Sequence, residues 1–127
     1  MGNLRLVVIL LALACVSIFA KDFYTYEEAL EIQKKSNKVI MLDVVRDGCH
    51  YCEDMKKNVF QDKEMLEWIN QRFIPVEINL DHDEIPLELK VYFTPTFFFL
   101  DKNQKVLKKV PGSWSIEDFK DLTKGIK

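Results

Sequence analysis

The sequence predicts an α/β domain with a central mixed sheet of about four strands and helices on both faces. Three observations lead there. Val39–Val45 (VIMLDVV) is apolar at both parities, with Val39, Met41 and Val45 on one side and Ile40, Leu42 and Val44 on the other, as in a strand covered on each face. Segments of helical and strand-like pattern alternate along the chain. Thr96–Leu100 (TFFFL), Asp101–Gln104 and Lys105–Val110 read as strand, polar turn and strand, an antiparallel hairpin.

The other elements follow in order. Thr25 and Glu28 have capping-box spacing, and Ala29, Leu30 and Ile32 follow before Ser36 and Asn37, so a helix of about ten residues precedes the first strand. Arg46, Asp47 and Gly48 form a turn. From Cys49 the period becomes helical, with Cys52, Met55 and Val59 on one side, and Asp62 caps a second stretch in which Met65, Ile69 and Phe73 recur. Ile74–Leu80 reads as a strand with Pro75 at its start, where a missing N–H is tolerated. Pro86 opens a short helix running to about Tyr92. After the hairpin, Ser115 and Asp118 open a last helix whose apolar face is Ile116, Phe119, Leu122 and Ile126. Phe97, Phe98 and Phe99 are assigned to the core. The pairs Lys34-Lys35, Lys56-Lys57 and Lys108-Lys109 are assigned to solvated faces.

This domain spans residues 21–127. Residues 1–20 read as a secretory signal: Arg5, the apolar run Leu6–Ala14, and Ala20 as the last residue before cleavage. An uncleaved anchor, or lipid attachment at Cys15, is the alternative. The expected location is secreted or periplasmic, with a membrane-anchored form facing the periplasm if the leader stays or Cys15 carries lipid. With 18 Lys plus Arg against 20 Asp plus Glu and a formal charge of −2, the chain has no nucleic-acid arm, acidic tail or polyelectrolyte character. Nucleic acid is not an expected partner. Of three cysteines, Cys15 lies in the leader, which leaves Cys49 and Cys52 for the domain.

Cys49-His50-Tyr51-Cys52 stands where a strand and a tight turn give way to a helix. Residues three apart on a helix have neighbouring Cβ atoms, so a disulfide there can close and reopen without moving the backbone. At a helix N-terminus the first thiol meets unpaired N–H groups and the positive end of the macrodipole, which favour thiolate. Cys49 is then the attacking sulfur and Cys52 the resolving one. Zinc would need two further ligands, but the histidines are His50, inside the motif, and His82. Covalent haem needs His after the second cysteine, where Glu53 stands. A purely structural staple of this ring size constrains the unfolded chain very little. Asp81, His82, Asp83 and Glu84 form an acidic loop without metal-ligand spacing. No metal or cofactor is expected.

Together with Thr94-Pro95-Thr96 entering TFFFLD, and KVLKKVPG after it, these residues resemble the thioredoxin fold over residues 21–127. The run CHYCEDMKKNVFQDKEMLEWINQRFIPVEINLD is similar to the extracytoplasmic thioredoxin-like group that includes the C-terminal domain of the thiol:disulfide interchange protein DsbD and the SoxW-type proteins. The resemblance implies that Pro95 is a cis-proline facing the sulfurs, with Thr94 and Pro95 shaping the substrate groove. It implies that Asp43 is a buried acid beneath the pair that relays the proton of the resolving thiol, and that Gly112 lies near the partner surface. From the residues alone, an acid in a doubly apolar strand is costly to charge, which suits an elevated pKa. A strand-edge carboxylate in water is the alternative.

This chain departs from a typical thioredoxin, which has Trp before the first cysteine and Gly-Pro between the pair. Here Gly48 precedes and His50-Tyr51 intervene. A protonated His50 stabilises a Cys49 thiolate and raises the reduction potential; a solvent-facing His50 does neither. Tyr51, with a phenol that ordinarily titrates near 10, is expected to contact substrate, and Trp114, if exposed, to help hold a partner. The expected function is a monomeric thiol:disulfide oxidoreductase acting on protein disulfides, as a reductase fed by a membrane electron donor. The alternatives are a redox-silent binding module or chaperone using the groove around Pro95 and Trp114, and a disulfide oxidase or isomerase.

Overall fold

Strand β1, Val39–Val45, is buried at every position and needs partners on both edges and cover on both faces. A computed structural model, which describes residues 22–127, supplies them. The expected leader and Cys15 lie outside the described residues. Around β1 the chain is arranged as α1 (Tyr26–Ser36), α2 (His50–Met55), a π-helical turn (Lys56–Phe60), α3 (Lys63–Arg72), β2 (Phe73–Asn79), a 3-10 turn (Pro86–Glu88), β3 (Thr96–Leu100), β4 (Val106–Pro111) and α4 (Ile116–Thr123). The four-stranded sheet has the order β2-β1-β3-β4. Strand β1 runs parallel to β2 and antiparallel to β3, and β3 and β4 are antiparallel. This is the predicted mixed sheet.

The alternation of β1 divides the core into two layers. Val39 and Met41 pack with Met55, Val59, Phe60, Met65, Ile69, Phe97, Phe99 and Phe119, which places α2, α3 and α4 on one face. Ile40, Leu42 and Val44 pack with Ala29, Ile74, Val76, Ile78, Phe98 and Leu100, which places α1 on the other. Helix starts are fixed locally as the sequence indicates. Thr25 and Glu28 form a reciprocal capping box, and Asp62 and Ser115 each accept a backbone N–H three residues on. Buried Gln33 donates to the carbonyl oxygens of Lys38 and Leu100 and accepts from Gln104, tying α1 to the β3–β4 hairpin.

Four expectations change. The helix from Cys49 ends as α-helix at Met55, and Val59 lies in the π-helical turn. Phe73 does not close α3 but opens β2. Pro75 lies inside β2, not at its start; its carbonyl accepts from Tyr24 N at 2.8 Å on the edge away from β1. Because N–H and C=O of one strand residue point the same way, the N–H that Pro75 lacks would face that outer edge, so β1–β2 pairing loses nothing. The helix expected from Pro86 to Tyr92 is a single 3-10 turn, since Leu87 and Glu88 both adopt positive φ and an α-helix does not continue through such residues.

Phe119 lies edge-to-face with Phe97 at 5.0 Å and with Phe60 at 6.2 Å, and it carries the attachment of α4. Phe119→Ala is expected to cost about 3–5 kcal/mol. Urea unfolding should show this as a lower midpoint with an unchanged slope.

Candidate active site

The turn Arg46–Gly48 carries the chain from the buried end of β1 to the start of α2. Gly48 has φ +65°, a left-handed conformation that glycine adopts without steric penalty. The turn is fastened to the loop after β2. Asp47 accepts from Asn79 Nδ2 at 2.9 Å and lies 2.7 Å from His82 Nε2, while Asp47 N donates to Asp81 at 2.8 Å. The Asn79 amide, and after it His82, holds the Asp47 carboxyl below its ordinary range. The acidic loop 81–84 therefore braces the turn before Cys49. Among the described residues, no cluster of His, Cys, Asp or Glu could hold a metal ion.

Cys49 is the N-cap of α2 and is disulfide-bonded to Cys52 with Cα atoms 5.2 Å apart. Two donors converge on Cys49 Sγ: Cys52 N at 3.1 Å and Thr94 Oγ1 at 3.2 Å. The second was not foreseen from sequence, because it joins residues 45 apart in the chain. Thr94–Pro95 is cis. Pro95 is buried, its carbonyl accepts from Gly112 N at 2.8 Å, and Thr96 Oγ1 donates to Phe93 O at 2.7 Å. Trp114 N lies 3.1 Å from Met55 Sδ, and its indole N–H donates to Pro111 O. These contacts bring Cys49, Thr94, Pro95 and the Gly112–Trp114 segment to one end of the sheet.

His50 and Tyr51 point outward. The His50 side chain is largely exposed, with Nε2 3.5 Å from Asp54, and stacks edge-to-face on Tyr51. That is the solvent-facing arrangement. Tyr51 is 62% exposed, Tyr92 83%, Phe93 58% and Trp114 37%, an aromatic rim on segments that border the disulfide. Tyr92 and Phe93 escaped the sequence reading, which took Tyr92 as a helix end. Their signal is their position directly before Thr94-Pro95.

Asp43 is 3% exposed, so the strand-edge alternative does not hold. It lines a pocket of about 340 Å³ with Cys52, Lys56, Phe60 and Glu77, and its Oδ1 has no hydrogen-bond partner. Burial, and after it the charge of Glu77, pushes the Asp43 carboxyl well above the usual carboxylate range. The folded chain thus binds this proton more tightly than the unfolded chain, whose Asp titrates near about 3.9. The associated stabilisation is complete below that unfolded value and is lost as pH rises through the higher folded value. Asp43→Asn, which cannot ionise, is expected to match the native protein at about pH 4 and to exceed it by about 1–3 kcal/mol at alkaline pH, where an unpaired charge is buried. Denaturant titrations across pH check this.

A family model described as a thioredoxin-like domain matches residues 26–127. Spermatogenesis-associated protein 20 of Rattus norvegicus is 38% identical over 74 residues, 58% of this chain and 9% of that protein. Anterior gradient protein 3 of Mus musculus is 29% identical over 91 residues, 72% of this chain and 55% of that protein. The chain thus spans about a tenth to half of the length of these curated relatives. Among solved structures, a thioredoxin from Thermus thermophilus superposes with a TM-score of 0.69 at 26% identity, covering 80% of this chain and 84% of that one. With its mixed four-stranded sheet, flanking helices and Cys49–Cys52 disulfide, the chain belongs to the thioredoxin-like domain family.

Proposed function

We propose that this chain is a thiol:disulfide oxidoreductase that reduces disulfides in polypeptide substrates through Cys49 and Cys52. The observation that carries the reading is the pair of donors, Cys52 N and Thr94 Oγ1, aimed at Cys49 Sγ. When the disulfide opens, they stabilise negative charge on that sulfur and make Cys49 the nucleophile. In the reduced protein, Cys49 thiolate attacks a substrate disulfide and forms a mixed disulfide, releasing one substrate thiolate. Cys52 then attacks Cys49, releasing the second substrate sulfur and closing the disulfide seen here. Two electrons pass from the cysteine pair to the substrate, and a dithiol donor must return them.

Asp43, sharing a pocket with Cys52, takes the proton of the resolving thiol. The aromatic rim of Tyr51, Tyr92, Phe93 and Trp114 supports an extended polypeptide substrate over a small thiol, since large exposed apolar side chains mark interaction surfaces. The apolar leader in the sequence and the likeness of the CHYC region to the extracytoplasmic group support an extracytoplasmic setting with a membrane-borne dithiol donor. Among the described residues, no helix is long and apolar enough to cross a membrane.

Cys52→Ala is expected to accumulate mixed disulfides through Cys49, seen as adducts on non-reducing gels that thiol reductant removes. Cys49→Ser should form none and should lose insulin reduction; a rate equal to the native one would overturn the reading. An equilibrium potential near about −270 mV is expected for a reductase, and one near about −120 mV would reverse the direction. Replacing Tyr92 and Phe93 together with Ser is expected to lower kcat/KM for a polypeptide disulfide about tenfold, the effect of about 1.4 kcal/mol of lost contact. The rate with a small aromatic disulfide should stay unchanged.

A further inference from the structure

Lys108 and Lys109 of β4, assigned from sequence to a solvated face, are both struts. Successive residues of a strand point to opposite faces. Lys108 Nζ donates to Leu122 O in α4, while Lys109 Nζ, on the other face, donates to Lys90 O at 3.1 Å. Lys109 is the register partner of Phe98 in the β3–β4 pair, and its ammonium lies 5.4 Å from the centre of the Phe98 ring and 5.3 Å from that of Tyr92. One cation thus grips residues 90 and 92 against the sheet. The segment it grips alternates in burial: Leu89 and Val91 are half-buried against the layer of Ile40, Leu42 and Phe98, and Lys90 and Tyr92 are exposed. The next residues are fixed from elsewhere, since Phe93 O accepts from Thr96 Oγ1 and Thr94 Oγ1 donates to Cys49 Sγ. Upstream, the loop after β2 has a single 3-10 turn in place of a helix, so its own backbone gives the segment little stiffness.

We propose that Lys109 is a specificity-determining positioning residue: it holds segment 90–92 so that Tyr92 and Phe93 stand ready for an extended polypeptide beside the disulfide. The inference rests on the reading of the aromatic rim as the polypeptide contact. Tyr92 is 83% exposed and Phe93 58%, and side chains this exposed, on an unheld loop, sample many arrangements that substrate binding must then freeze at a cost in affinity. A cation over the Tyr92 ring, hydrogen-bonded two residues back, settles that ordering before substrate arrives. The gain is confined to substrates long enough to reach the rim, because Cys49 Sγ is served by its own donors, Cys52 N and Thr94 Oγ1. Lys109 therefore selects among substrates without entering the exchange of electrons or protons.

The test replaces Lys109 in the full-length chain and compares turnover of a polypeptide disulfide with that of a small aromatic one. Lys109→Met keeps the apolar stem and removes the ammonium. It is expected to lower the ratio of kcat/KM for polypeptide to small disulfide about fivefold, through a higher polypeptide KM at similar kcat. Lys109→Arg, which retains a cation and N–H donors, should restore most of the ratio. Backbone amide order parameters of residues 90–93 should fall in Lys109→Met and recover in Lys109→Arg. In a chain that already carries Tyr92→Ser and Phe93→Ser, Lys109→Met should cause no further fall in the ratio, because the side chains it positions are gone. A native ratio in Lys109→Met overturns the proposal, as do unchanged order parameters. An equal fall in the chain without the two aromatics also overturns it, and points instead to direct attraction between the lysine charge and substrate. If Tyr92→Ser with Phe93→Ser itself keeps the native ratio, the rim reading fails and the selecting role of Lys109 with it, whether or not the loop loosens.

Discussion

Because all of Val39–Val45 is buried, β1 must be hydrogen-bonded along both edges and covered on both faces, and the rest of the chain is placed to do this. Strands β2 and β3 occupy its edges. Helices α2, α3 and α4 cover the Val39–Met41 face and α1 the Ile40–Leu42 face. Covering a central strand from both sides also fixes where its end emerges. The turn after Val45 comes out between the layers, and α2 starts there with Cys49 at its cap. A disulfide placed this way borrows its rigidity from the most buried strand of the molecule.

The same burial creates the site's one local conflict. An acid in a strand that is otherwise apolar violates the rule that β1 obeys elsewhere, and one of its oxygens has no partner. Such exceptions concentrate at functional positions. Here the exception faces a pocket shared with Cys52, and the opposite strand places Glu77 in register with it. Asp43 and Glu77 are one strand apart yet differ sharply in access to water, which makes a polarised pair: the inner acid holds a proton well, and the outer one meets solvent.

The legible features were those set by short-range chemistry. The capping box at Thr25–Glu28, the caps at Asp62 and Ser115, and the double parity of β1 each depend on a few neighbouring residues, and each is found as read. Cys49, Cys52 and Pro95 were visible as motifs, and the structure brings Cys49 close to the Thr94–Pro95 segment. What escaped depends on pairing between distant segments. Whether Pro75 can sit inside a strand depends on β2 lying at a sheet edge. The Thr94 hydroxyl on Cys49 joins two segments that only the closed sheet makes neighbours. Glu77 carries no signal of its own in the sequence, because nothing in IPVEINL says which position of β1 it will oppose. The lost helix after Pro86 is a different failure: a favourable first residue says nothing about Leu87 and Glu88 turning to positive φ.

The pairing of Tyr24 with the outer side of β2, through the Pro75 carbonyl and the bridge to Val76, has a consequence for aggregation. An uncovered sheet edge is a template on which another extended chain can add. On the β2 side the segment before α1 already occupies that edge, and Pro75 lacks an N–H to offer an incoming strand. On the other side β4 ends at Pro111, carries Lys108 and Lys109, and is interrupted by an irregularity opposite Phe99 and Leu100, features that blunt an edge. A protein proposed to engage extended polypeptides at its disulfide can thus hold them there without recruiting them into its own sheet.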